Sequence, residues 1–110
     1  MDHRCQITTP GRRICDACLR GLRRDLAALP DLYDACAGAE TRTAIQAVLT
    51  SWAALVATEW RTPAPGAGVP DLTAFLSRHG DWLACHGGAP LLVEDAAELV
   101  AAARPALQPA

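Results

Sequence analysis

The sequence predicts a mainly α fold, a bundle of three to five helices behind an N-terminal zinc-stapled hairpin. Three observations lead there. Apolar residues make up 51% of the chain but aromatics only 5%, so alanine and leucine carry the hydrophobic content and the β-branched, aromatic-rich runs of sheets are missing. From residue 19 onward, leucines and other apolar residues recur at spacings of three and four, the period of one helix face. Finally, Cys5, Cys15 and Cys18 fall within the first 18 residues, a close cluster that suits a metal ion better than a disulfide framework.

A chain of 110 residues has room for one core and not for two ordinary domains. Residues 1–110 are therefore read as a single domain with a zinc-binding head at 1–18, a helical bundle at 19–104 and a frayed tail at 105–110.

In the head, Pro10-Gly11 is a turn signal flanked by β-compatible Ile and Thr, consistent with a small hairpin joining two ligand corners. Cys15-Asp16-Ala17-Cys18 then puts two thiols on one tight corner at a helix start, where backbone N–H groups and the helix dipole favour the thiolate. Cys5 supplies a third sulfur across the hairpin. His3 is the nearest nitrogen donor for a tetrahedral set, and Asp2, separated from Cys5 by two residues, is the alternative fourth ligand. A metal-free thiol pair or redox Cys-x-x-Cys is the competing reading, without the β-α-β context that usually accompanies it. Cys36 falls in the apolar register of its helix and reads as a small buried hydrophobe. It could reach the cluster as an iron–sulfur ligand only if the chain reversed sharply at Pro30.

The first helix opens at Asp16, with Leu19, Leu22, Leu26 and Leu29 on one face and Tyr33 and Cys36 continuing it. Pro30 either begins a second short helix or kinks one long helix, and Gly38 closes the segment. A second helix is predicted over Thr41–Trp60, with Ile45, Val48, Leu49, Trp52, Leu55, Val56 and Trp60 on its apolar face. The Pro/Gly-rich stretch 62–70 is a loop. Asp71 is read as the N-cap of a third helix, whose inner face carries Leu72, Phe75, Leu76, His79, Trp82, Leu83 and His86 before Gly87-Gly88. The last helix covers Pro90–Arg104 and buries Leu92, Val93, Ala96, Val100 and Ala103. His79 and His86 share a face but stand about 10.5 Å apart along a helix axis, too far for one ion. They read as packing beside Trp82 or capping the helix end near Gly87.

The run Ile14-Cys15-Asp16-Ala17-Cys18-Leu19 continuing to Leu29-Pro30-Asp31-Leu32-Tyr33 resembles small actinobacterial and actinophage proteins, in which a treble-clef-like zinc cluster precedes a helix of this pattern. Val69-Pro70-Asp71-Leu72 and Phe75-Leu76-x-Arg78-His79-x-Asp81-Trp82-Leu83 are similar to the same group, so the resemblance spans most of the chain. Those proteins are mostly of unassigned role, and the resemblance implies a zinc-finger-like head followed by a helical domain. Such proteins often carry two Cys-x-x-Cys corners, and here Asp2 stands where the first corner's cysteine would be.

Charge is uneven. Residues 1–24 carry six arginines against Asp2 and Asp16, a local +4, which leaves −6 on the rest of a chain whose net charge is −2. Arg12, Arg13, Arg20, Arg23 and Arg24 are thus candidate phosphate contacts, or they offset the charge of thiolate ligands. There is no Ser-His-Asp set, phosphate-binding glycine loop or pair of inward carboxylates, so the chain is read as non-enzymatic, with no small-molecule substrate. No uninterrupted apolar run reaches membrane-span length and no signal-peptide segment opens the chain, so a cytoplasmic location is expected. The expectation is a zinc-binding adaptor acting through a protein partner, with a nucleic-acid-binding module as the alternative and a thiol redox protein third.

Overall fold

The computed structural model describes residues 11–104. Within them the regular structure is five helices and no strand: α1 (Asp16–Ala35), α2 (Ala39–Trp60), α3 (Val69–Arg78), α4 (Gly80–Leu83) and α5 (Ala89–Ala103). The expected hairpin arm at residues 1–10 and the tail at 105–110 lie outside the described residues. No helix among the described residues is long and apolar enough to cross a membrane.

α1 runs unbroken through Pro30, so of the two readings of that proline the single helix is the one adopted. Leu19, Leu22, Leu26, Leu29 and Leu32 are buried along its length. That 3-4-3-3 stripe packs chiefly on α5 and α3, which makes α1 the central helix. The core begins before it: Ile14 is 3% exposed and joins the same apolar cluster. The backbone N–H of Arg13 donates to the Ala84 carbonyl at 2.7 Å, so the last residues of the head are bonded to the end of α4.

α2 starts two residues earlier than its sequence suggests, behind a Gly38 N-cap with no side-chain cap bond. It buries Ile45, Leu49, Ala53, Val56 and Ala57 against α3 and α5. Trp60, expected on that inner face, is 49% exposed. It is the last residue of α2, beyond the buried stripe that ends at Ala57. The helix stops at Arg61, which takes the left-handed conformation at φ 50° and donates its N–H to the Thr58 carbonyl, a C-terminal geometry that glycine usually fills. Gln46 reaches across to donate its side-chain amide to the Ala67 carbonyl and so holds the Pro/Gly loop against α2.

The single third helix expected from Asp71 to His86 is two elements. Gly68, not Asp71, is the N-cap, and Asp71 is the third residue of α3. Its carboxylate leans back against Gly66, where a Cβ would come within 2.7 Å of Oδ2. The helix breaks at His79, whose N–H is shared between the Phe75 and Leu76 carbonyls, both at 3.2 Å. Sharing of this kind marks the tightening of a helix end. Gly80 then lies buried against the Arg23 guanidinium of α1, with its absent Cβ 2.8 Å from Nη2. Arg23 also reaches the Ser77 carbonyl and the Asp81 carboxylate, so the break is packed on α1. α5 follows a Gly88 N-cap and buries Leu92, Ala96, Leu99, Val100 and Ala103.

Candidate metal centre and arginine face

Cys15 is the N-cap of α1, in extended conformation at φ −80° and ψ 171°. The geometry turns its side chain back over the first helical turn, where its Sγ accepts the Cys18 N–H at 3.5 Å. An N-cap acceptor on the third N–H of a helix relieves one of the unpaired donors there. Cys15 is 9% exposed and Cys18 is half-buried against the core. Two cysteines three residues apart thus stand at the head of a 20-residue helix.

His3 and Cys5, the remaining predicted ligands, lie outside the described residues, as does Asp2. Among the described residues no group of three or more His, Cys, Asp or Glu side chains could hold a metal ion. Cys36 is buried at the far end of the unbroken α1, about 27 Å along the axis from Cys18. That distance removes it from any cluster with this corner. Cys36 behaves as a core residue, its thiol donating to the Gly38 carbonyl at 3.8 Å.

No protein-family model, curated protein or solved structure matches the chain.

The five candidate arginines divide. Arg12 and Arg23 turn inward, Arg12 to Asp16 at 3.0 Å and Arg23 to Asp81 at 3.6 Å and to the helix break. Arg13, Arg20 and Arg24 are exposed, with Arg20 and Arg24 one turn apart on α1. Arg24 also stands 3.8 Å from Asp25. Burial pushes the Asp25 carboxyl above its ordinary value, and Arg24 and Arg104 partly offset the rise.

The two histidines among the described residues, His79 and His86, are occupied by local structure. His79 Nδ1 is 2.9 Å from the Phe75 carbonyl, and its ring packs on Phe75 and edge-on to Trp60. His86 packs beside Trp82, and its Nδ1 accepts the Gly88 N–H at 2.9 Å. With Nδ1 as acceptor the proton of the neutral ring is on Nε2, which faces Glu59 at 3.7 Å. Trp60 and Trp82 meet edge to face at 6.0 Å, so the rings Phe75, His79, Trp60, Trp82 and His86 form one continuous ridge with Trp60 at its exposed crest. The sequence showed three tryptophans at helix-face positions, but the ridge depends on the break at His79, which no periodicity announces.

Proposed function

We propose that the chain is a small, non-enzymatic zinc-binding adaptor or regulator that acts through protein contacts. The observation that carries this reading is the Cys15–Cys18 corner: a sulfur N-cap with a second cysteine one turn on, at the start of the helix around which the bundle is built. Cys5 and His3 complete the proposed ligand set. A structural ion there supplies folding free energy to a head too short to hold a core of its own. The aromatic ridge supports the protein-contact part of the reading, since a tryptophan 49% exposed and backed by other rings is the kind of anchor that dominates binding energy at interfaces.

Metal content measured together with native mass tests it. One zinc per chain is expected. Zero metal with freely reacting thiols at Cys15 and Cys18 would remove the reading.

A second reading, nucleic-acid binding, is favoured by the exposed Arg13, Arg20 and Arg24. Binding to duplex DNA through these residues would show a log–log salt slope of about −0.9 per phosphate neutralised. The inward turn of Arg12 and Arg23 and the −6 charge beyond residue 24 limit its footprint and place it second.

A further inference from the structure

An open cleft of about 510 Å3 lies between α1 and α5, built from residues of neither the cysteine corner nor the aromatic ridge. It is lined by Arg24 and Asp25 of α1 and by Ala97, Val100, Ala101 and Arg104 at the end of α5. Ala97 and Ala101 stand one turn apart on α5, and side chains this small leave the space between the helices unfilled. The charged groups around it are poorly satisfied. The Asp25 side chain is only 14% exposed, and Arg24 Nε stands 3.8 Å from its Oδ1, in ion-pair range but too long for a hydrogen bond. Among the described residues no hydrogen bond reaches that carboxylate, and neither the Arg24 nor the Arg104 guanidinium donates one. Burial makes the ionised Asp25 costly, and Arg24 and Arg104 offset the cost only in part. A titratable group held at a cost beside specific charge partners in a cleft is a mark of binding and catalytic sites.

We propose that this cleft binds hydrogen phosphate, held between Arg24 and Arg104, with Asp25 accepting the proton of its P–OH group. Two guanidiniums against one carboxylate leave the cleft a net positive charge, and guanidinium donors match the oxygens of a tetrahedral anion. The carboxylate then selects among such anions. Ionised Asp25 can only accept hydrogen bonds, so it repels an oxyanion without a proton and bonds one that has kept a proton. Sulfate is a tetrahedron of similar size with no proton to give. The phosphodiesters of nucleic acid carry no P–OH either, which sets this cleft apart from a nucleic-acid surface even though both would use Arg24.

The test is a titration of the full chain with inorganic phosphate and, separately, with sulfate, at pH 7 and constant ionic strength, followed by the backbone amide NMR shifts of residues 24–25 and 97–104. Phosphate is expected to bind saturably at those residues and at least about 10-fold more tightly than sulfate, the difference of one hydrogen bond to a charged group. Arg104→Gln, at an exposed helix end, is expected to weaken phosphate binding about 10-fold. Asp25→Asn keeps the shape of the cleft and both arginines and replaces the repelling carboxylate with an amide that can donate. It is expected to bind sulfate more tightly than the parent does, so that the preference for phosphate falls to near parity. The comparison of the two anions on the parent chain requires no variant, so a folding defect cannot mask the outcome. Equal affinity of the parent for phosphate and sulfate overturns the proposal, as does a response that does not saturate and spreads over the other exposed arginines. An undiminished preference in Asp25→Asn overturns it as well, and so does an unchanged phosphate affinity in Arg104→Gln.

Discussion

Trp52 on α2 donates its indole N–H to the Asp95 carboxylate on α5 at 3.0 Å, joining residues 43 positions apart in the chain. The same ring lies over Gly88, where a Cβ would meet its edge at 3.0 Å. One indole therefore sets the distance between the last two long helices, with a hydrogen bond on one side and a glycine on the other.

That bond is to a charged acceptor but half-buried, so its net contribution is about 1 kcal/mol, below that of a fully buried charge-assisted bond. A double-mutant cycle of Trp52→Phe and Asp95→Asn, read by chemical unfolding, is expected to give a coupling of about that size. Additive losses would mean the contact is incidental.

Gly88→Ala is expected to destabilise by about 1–2 kcal/mol, because the ring it meets is held by Asp95 and cannot swing away freely. Tryptophan emission should shift along with the loss. Combining it with Asp95→Ala, which frees the indole to move, should cost less than the two single changes together.

Pro30 lies inside α1 without an N–H for the carbonyl one turn back. Pro30→Ala restores that bond, and the gain is offset in part by a more flexible unfolded chain. A net stabilisation of about 1–2 kcal/mol is expected from the helix preferences of the two residues. A loss of stability would show that the bundle is fitted to a bend at this residue.

Asp25 gives a pH dependence with a defined sign. Its carboxyl is raised in the folded state, first by burial, with Arg24 and then Arg104 opposing. The folded chain therefore holds this proton to higher pH than the unfolded chain does. The contribution of Asp25 to stability is greatest below the unfolded value of 3.8 and falls as pH rises through the folded one. Asp25→Asn should remove this falling limb from a stability–pH profile and should not destabilise the protein at pH 7. A marked loss at neutral pH would show that the ion pair with Arg24 outweighs the cost of burial.

Ile14 tests how far the head belongs to the bundle. At 3% exposure within the main cluster, Ile14→Ala is expected to cost about 2–4 kcal/mol, and to do so in excess chelator as well as with zinc present. An effect confined to the zinc-loaded protein would instead make residues 11–15 an appendage of the metal.

The amino-acid sequence alone determined the helical class, the leucine stripe of α1, the buried face of α5 and the candidate Cys15–Cys18 corner. Each of these is a local pattern, a repeat near 3.6 residues or two cysteines three apart, and needs no distant partner to be read. The tertiary structure decided what depends on residues meeting from different helices. Pro30 is carried within one helix because α1 packs on both α3 and α5. The helix that seemed to run from Asp71 to His86 breaks at His79, where Gly80 comes so close to Arg23 that a Cβ would stand 2.8 Å from the guanidinium. Trp60, periodic with the buried face of α2, is 49% exposed, its ring met edge-on by His79 and Trp82 alone. Of five arginines alike in sequence, only packing separates Arg12 and Arg23, turned inward to carboxylates and backbone, from Arg13, Arg20 and Arg24, left in water. Periodicity states which face of a helix is apolar, and the positions of the other helices determine how much of that face is covered.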